Sequence, residues 1–271
     1  MTGLPPATAA DRNRMMESAA QTLGEARRLA RPIPCLSRTI PDLTESEAYR
    51  IAATTIAARR TALAGYKLGY TSEAMRVQMG ISEPNYGMLE EGARVECGGS
   101  IALAGLIHPR IEPEFAVRLG RDLAGPGVGE EEAWQAIEGV MPALEIVDTR
   151  YESYEFQAVD NIADNSSSAR FVLGAPIPRE ALPDLRRVQA RLDRNGTELG
   201  VGSGADVMGN PVAALAWLAN RLGASGTGIR AGQIVLTGGV TRAFPAGAGD
   251  HFLARFDGLG TVEVRFQGQM P

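Results

Sequence analysis

Glu112 and Glu114 stand one residue apart in the run IHPRIEPEFAVRLGRDL, an otherwise apolar segment rich in strand-forming Ile, Phe, Val and Leu. Side chains at i and i+2 of a strand point to the same face, so the two carboxylates lie side by side. Such a pair repels itself, and burying either member unpaired costs several kcal/mol (roughly 2–7 for a polar group, more for a charge). Two arrangements satisfy this constraint. Either the strand is an edge with both acids in water, or a hard divalent cation such as Mg²⁺ or Mn²⁺ takes their oxygens as ligands. Glu145, isolated in the apolar stretch PALEIVDTRY, is a third candidate ligand.

The remaining composition narrows the function. With 271 residues, 44% of them hydrophobic and 22% charged, the chain has the make-up of a soluble globular protein. A formal net charge of -5 without any basic cluster argues against nucleic-acid binding. No apolar run is long enough to span a bilayer and no signal-peptide pattern opens the chain, so a cytoplasmic location is expected. Cys35 and Cys97 are far apart and outside any paired motif, which suggests buried or semi-buried free thiols, with a disulfide as the alternative. Only two histidines are present, His108 and His251, which excludes a His-rich metal site and weakens any Ser-His-Asp arrangement.

Periodicity divides the chain into an α+β arrangement, a helical lobe over residues 1–64 and a β-rich body over residues 65–271. The lobe is broken at ARPIPCLSRTIPDL, where Thr44 and Glu47 have capping-box spacing and start a second helix. In the body, GEEEAWQAIEGV and PVAALAWLANRLGAS read as helices, while GQIVLTGGVTRAFPA and DHFLARFDGLGTVEVRF read as strands and turns.

Four other stretches are candidates for function. Lys67 lies between two glycines in GYKLGYTS, as a partly buried amine or as a surface lysine in a turn. EPNYGML, with Asn85, reads as a turn. ADNSSSARFVLG places Asp164, Asn165, Ser166 and Arg170 at the start of an apolar strand, either to bind carboxylate oxygens or to cap a turn. The glycine pair of LTGGVT suits close approach of the backbone to an anion, and equally a simple turn.

Taken in order, GYKLGYTS, EPNYG, IHPRIEPE, ALEIVDTRY, ADNSSSARFVLG and AGQIVLTGG resemble the hydratase/decarboxylase family of meta-cleavage pathways, within the fumarylacetoacetase-like superfamily. The resemblance runs from about Ala64 to the C-terminus. It implies a mixed β-roll with flanking helices, acting on 2-oxo acids with one Mg²⁺ or Mn²⁺. Carried over by position, the metal ligands are Glu112, Glu114 and Glu145, and the active-site lysine is Lys67. The polar stretch supplies Asp164 and Ser166 as catalytic candidates and Asn165 as a substrate contact.

Two reactions share this scaffold. One is decarboxylation of (3E)-2-oxohex-3-enedioate (4-oxalocrotonate) to 2-hydroxypenta-2,4-dienoate; the other is hydration of 2-oxopent-4-enoate-type compounds. LIHPRIEPE, TRYESYEF, SSSARF and LTGGVT resemble the decarboxylase form. Asn85 stands where hydratases typically carry Asp and decarboxylases commonly an apolar residue, so it matches neither pattern; since an amide takes no proton as a general base, it weakens the hydratase reading more. Arg170 is then the expected partner of the distal carboxylate, with a salt bridge to Asp160 or Asp164 as its structural alternative. The family further implies a homo-oligomer and a complex with a sister hydratase, and it leaves open a non-catalytic scaffold subunit of such a complex.

Overall fold

Thr44 and Glu47 form the capping box that their spacing predicts: the Glu47 N–H donates to the Thr44 hydroxyl and the Thr44 N–H to the Glu47 carboxylate. They open α2 (Glu45–Ala58), which packs against α1 (Ala9–Leu29), itself started by a second box of Thr8 and Asp11. Arg12 of α1 reaches across to Glu47 at 2.6 Å and locks the two helices together. The computed structural model describes residues 8–73, 76 and 81–268, so the outer ends of the two expected segments, residues 1–7 and 269–271, lie outside the described residues.

The strands that follow are β1 (Leu63–Gly69), β2 (Asn85–Glu90), β3 (Arg94–Val95), β4 (Ser100–Ala102), β5 (Arg110–Leu119), β6 (Ile137–Val147), β7 (Ser168–Leu173) and β8 (Ile177–Pro178). After them come β9 (Gln189–Arg194), β10 (Thr197–Ser203), β11 (Ile234–Gly239), β12 (Phe244–Pro245), β13 (His251–Phe256) and β14 (Gly260–Gln267). They build two sheets. The larger runs β2-β1-β11-β5-β6-β7-β3, with β12 on β5 and β8 on β6; the smaller runs β10-β9-β13-β14-β4. Both mix parallel and antiparallel pairs, as in the expected mixed β-roll.

Strand alternation gives the large sheet two different faces. On β5, Ile111, Phe115, Val117 and Leu119 join the main core, where Phe115 meets Phe256 of the smaller sheet edge to face at 5.2 Å. The helix Pro211–Gly223 joins this core through Val212, Leu215, Leu218 and Leu222. The alternate β5 positions Arg110, Glu112, Glu114 and Ala116 face the inside of the curl. Deep in that concave side a narrow apolar cluster of Ala116, Met141, Ala143, Phe171, Leu173 and Leu236 fills the space.

The helical lobe is not self-contained. Its core of Met16, Leu23, Leu36, Ile40 and Ile51 also takes in Tyr151, Ile162 and Ala163 from the body. Asp160 of the short helix Ala158–Ala163 accepts from the Ser37 N–H and hydroxyl at 2.8 and 2.7 Å, pinning the lobe to the segment that will carry part of the site.

Three local expectations are corrected. EPNYGML is no simple turn: Asn85 begins β2, because Tyr86 and Met88 alternate in register with β1. The helix in GEEEAWQAIEGV stops at Ala136, since Ile137 and Val140 extend β6 against β5 and cross-strand pairing outweighs helical periodicity. Cys97 is exposed, while Cys35 is buried as expected, and both are free.

The Arg12 guanidinium, with help from the Thr44 N–H, holds the Glu47 carboxyl at about 2, below its ordinary 4.5. A depressed carboxyl contributes stability that is present above pH 4.5 and is lost as pH falls toward 2. Glu47→Gln should therefore cost about 1 kcal/mol at pH 7. Urea denaturation at pH 7, 4 and 3 should show the gap to wild type closing in acid.

Candidate active site

The carboxylates meet because β5 and β6 pair in one register. Glu112 lies directly opposite Glu145, and Glu114 lies one pleat repeat further along β5. One oxygen from each of the three falls within 4.8 Å of the others, while Glu114 and Glu145 are fully buried and Glu112 meets the cavity. The solvated edge-strand arrangement is excluded, for β5 is a central strand flanked by β11 and β6.

Lys67 of β1 crosses the interior and stands 2.9 Å from Glu145 Oε2. Burial disfavours its charge, but Glu145, Glu112 and Glu114 outweigh that and raise its pKa above the usual value, so it stays an ammonium. Burial also pushes the acids up, opposed by Lys67: Glu112 to about 7, with Glu114 and Glu145 raised as well. Were all three carboxylates ionised, one ammonium would leave two negative charges uncompensated, and this repulsion adds to burial in pushing Glu112 and Glu114 up. Glu114 Oε1 and Glu145 Oε1 have no hydrogen-bond partner, and Glu145 Oε2 meets only the Lys67 ammonium. Buried, orphaned carboxylate oxygens converging on one point fit a hard divalent cation.

The glycine pair of LTGGVT serves the acids directly. Gly238 N–H donates to Glu114 Oε2 at 2.6 Å from a backbone with φ +104°, and a β-carbon on Gly239 would collide with Glu112 Oε2. The anion that this backbone approaches is thus the chain's own carboxylate.

On the other side of Lys67 stands an unusual turn. Asn165, Ser166 and Ser167 all have left-handed backbones, φ 53°, 51° and 56°. Each costs roughly 1–2 kcal/mol for a residue with a β-carbon, least for Asn. The turn aims the Ser166 carbonyl and hydroxyl at Lys67 Nζ, which donates to them at 3.2 and 3.3 Å. The Ser166 hydroxyl in turn donates to Asn85 Oδ1, Asn85 Nδ2 to Asn161 Oδ1, and Asn161 Nδ2 to the Ser167 hydroxyl, at 2.8 to 3.1 Å. Gly69, beside Asn85 in register, leaves the room: a β-carbon there would strike Asn85 Oδ1 and the Ser166 hydroxyl.

A cavity of about 790 Å³ opens over this centre, with Lys67, Glu112, Ser166, Ser167 and Asn161 on its inner wall. Tyr70, Tyr154, Phe156 and Phe244 add aromatic surface, and Arg110, Thr241 and Arg242 add donors. Neither His108 nor His251 lines it.

The structure thus brings Lys67, Ser166, Glu112, Glu114 and Glu145 together and places the other expected residues elsewhere. Asp164 does not reach the cavity. It ion-pairs with Arg150 and accepts from the Arg150 N–H and the Thr149 hydroxyl, and burial raises it to about 6 against the pull of Arg150. Its role is to hold Arg150, which also donates to the Asp148 and Ser168 carbonyls and so ties down both flanks of the left-handed turn. Asn165 does not line the cavity: its amide accepts from Met88 N–H at 2.8 Å and donates to Met88 C=O at 2.9 Å, closing the curl like one more rung of sheet. Asn85 supports Ser166 from behind the cavity wall. Arg170 pairs with Ile146, while its neighbour Phe171 pairs with Glu145, so alternation sends Arg170 to the opposite face. There it donates to the Ala169 carbonyl, in a salt bridge with neither Asp160 nor Asp164.

Arg110, Asn161, Tyr154 and Arg242 are cavity residues that sequence reasoning passed over. Arg110 was within reach of the rule that found the acids, since it precedes Glu112 by two on the same strand.

Asn165→Ala should lower stability by about 3 kcal/mol, from the two backbone groups orphaned on Met88 and a methyl-bearing left-handed residue. Asn165→Gly removes the same bonds without the backbone strain and should lose measurably less. Chemical denaturation of the pair separates the two contributions.

Comparison with known proteins agrees with this geometry. Residues 66–267 match the family described as Fumarylacetoacetate (FAA) hydrolase C-terminal. A 2-hydroxyhexa-2,4-dienoate hydratase of Comamonas testosteroni is 37% identical over 93% of this chain and 97% of its own. A 4-oxalocrotonate decarboxylase of Pseudomonas sp. (strain CF600) is likewise 37% identical, over 86% of this chain and 90% of its own. The structure of 4-oxalocrotonate decarboxylase from Pseudomonas putida G7, complexed with magnesium and adipate, superposes with a TM-score of 0.91 at 35% identity, covering 94% of this chain and 98% of that one. With the family matched across its β-rich body and relatives matched nearly end to end, this chain belongs to the fumarylacetoacetate hydrolase family.

Proposed function

We propose that the protein is a metal-dependent carboxy-lyase that converts (3E)-2-oxohex-3-enedioate to 2-hydroxypenta-2,4-dienoate and CO₂. The observation that carries the reading is the convergence of Glu112, Glu114 and Glu145, with orphaned oxygens, beside a buried Lys67 at the inner end of the cavity. A magnesium-bound decarboxylase that superposes over nearly the whole chain supports it.

In this substrate the departing carboxylate is a vinylogue of a β-keto acid. As the C5–C6 bond breaks, its electron pair moves through the double bond to the 2-oxo oxygen, where charge develops. When bound by the three glutamates, Mg²⁺ would supply Lewis-acid stabilisation of that charge. Lys67 supplies a second stabilising donor. Glu145 keeps it charged, and the Ser166 carbonyl and hydroxyl fix its Nζ on the cavity wall. Tyr70, Tyr154 and Phe156 give the reacting chain an aromatic wall to lie against. Asn85 and Asp164 act at one remove, by holding Ser166 and the turn that carries it.

A hydratase reading has a specific support of its own, for hydratases match this chain as closely as decarboxylases do. The two separate in one paired assay with Mg²⁺, with and without EDTA, following CO₂ release from 2-oxohex-3-enedioate and loss of the 2-hydroxypenta-2,4-dienoate chromophore. Metal-dependent CO₂ release with the dienol untouched is expected; dienol consumption without CO₂ would make the enzyme a hydratase. Lys67→Met should lower kcat by about 100-fold or more. Glu114→Gln should abolish turnover and also the rise in Tm that Mg²⁺ gives the wild type. A variant that keeps that rise would remove Glu114 from the ligand set.

A further inference from the structure

The cavity is lopsided in charge. Its inner wall presents Glu112 and the Lys67 ammonium with two more acids behind them, and its outer wall presents guanidinium groups. Arg110 and Glu112 are two residues apart on β5, so the guanidinium stem and the innermost carboxylates share a face, separated by about 7 Å along the strand. Extended, that is about the reach of a six-carbon chain.

Arg110 is half-buried and held in place without being used up. Its guanidinium carbon lies 3.9 Å from the centre of the Tyr154 ring. The Tyr154 hydroxyl is anchored on the His108 and Val147 carbonyls at 3.0 and 3.2 Å, so the ring is a fixed platform. Stacking leaves the edge of the guanidinium, with its N–H donors, free to bond in its own plane. Among the described residues no carboxylate lies within ion-pair distance of Arg110 and none of its side-chain N–H groups has a protein acceptor. Asp206, an exposed acid on the same cavity wall, is occupied in capping Ser203. Arg242, exposed and 4.7 Å over the Phe244 ring, adds a second positive charge nearby.

We propose that Arg110, stacked on Tyr154, recognises the second carboxylate of the ligand and thereby restricts the site to dicarboxylic 2-oxo acids. This rests on the reading of the inner wall as the site that takes the 2-oxo acid end. It gives to Arg110 the role that sequence reasoning gave to Arg170, and it makes Arg110 a specificity-determining residue. A planar fork presented edge-on suits the two oxygens of a carboxylate better than a point charge does.

The test is binding rather than turnover. Calorimetry on the full chain with saturating Mg²⁺ compares 2-oxoadipate with 2-oxohexanoate, which differ only in the distal carboxylate and neither of which has the double bond that decarboxylation needs. Wild type should favour the dicarboxylate by about tenfold or more, the worth of a charge-assisted hydrogen-bonded pair. Arg110→Met should erase that preference while changing 2-oxohexanoate affinity by less than about twofold. Arg110→Lys, which keeps the charge, should retain part of it and serves if the methionine variant fails to fold. The proposal is overturned if wild type shows no preference, if Arg110→Met keeps it, or if that variant loses both ligands equally. A preserved preference in an enzyme that releases no CO₂ would sink the decarboxylase reading and leave Arg110 in place; CO₂ release without the preference would do the reverse.

Discussion

Three glutamates and one lysine share the interior at the inner end of the cavity, and much of the surrounding structure is arranged to keep them there. A carboxylate buried alone is expelled or protonated, so the cluster needs cations and donors on every side. Lys67 supplies one charge and Gly238 N–H one hydrogen bond, and the oxygens left over are the opening for a divalent ion. The same need sets the sizes of neighbouring residues. Gly239 has no side chain because Glu112 occupies that space, and Ala116 and Ala143 keep the curl narrow where it closes below the acids.

From the lysine the requirement passes outward. Lys67 is useful only if its ammonium is held, and the holder is a turn in an unfavourable backbone conformation. Three left-handed residues in a row do not persist unless their surroundings over-determine them. Here Asn165 is clamped to Met88, the Asn85–Asn161 amides brace Ser166 and Ser167, and Arg150 with Asp164 secures the flanks. The helical lobe then packs on the short helix that leads into the turn, through Ser37 and Asp160 and through the shared core with Ile162. Although no residue of α1 or α2 lines the cavity, the two helices belong to the site in this energetic sense.

Which of this was legible in the sequence follows from the range of the interactions. The shared face of the acidic pair, the α2 capping box and the strands around Glu112 and at the C-terminal end of the body rest on local rules of spacing, and they read correctly from the chain alone, whereas β2 and the start of β6 did not. Glu145 and Lys67 stood out locally as a lone acid in an apolar stretch and a lysine between glycines, but that they meet Glu112 rests on strand register, which spacing does not show. Arg170 was misplaced for the same reason: which face it takes is fixed by pairing with Ile146, a long-range fact. Asn165 was misread because its partner lies 77 residues earlier, and a DNSSS sequence announces a turn without announcing its hand. Arg110 differs from these, since simple alternation from Glu112 points to it.

Recognition through the distal carboxylate has a consequence for rate. In the decarboxylation that group leaves as neutral CO₂, so any ion pair with it is stronger in the bound substrate than in the transition state. Such binding lowers KM while opposing kcat. A salt bridge with a lysine ammonium, compact and strongly localised in charge, would oppose bond breaking most. A guanidinium spreads its charge over a plane, and one stacked on Tyr154 has part of that charge offset by the negative face of the ring. Arg110 therefore suits a site that must orient a carboxylate and then release it, with the stronger electrostatic stabilisation kept for the opposite end of the cavity, where Lys67 and the glutamates face the developing charge.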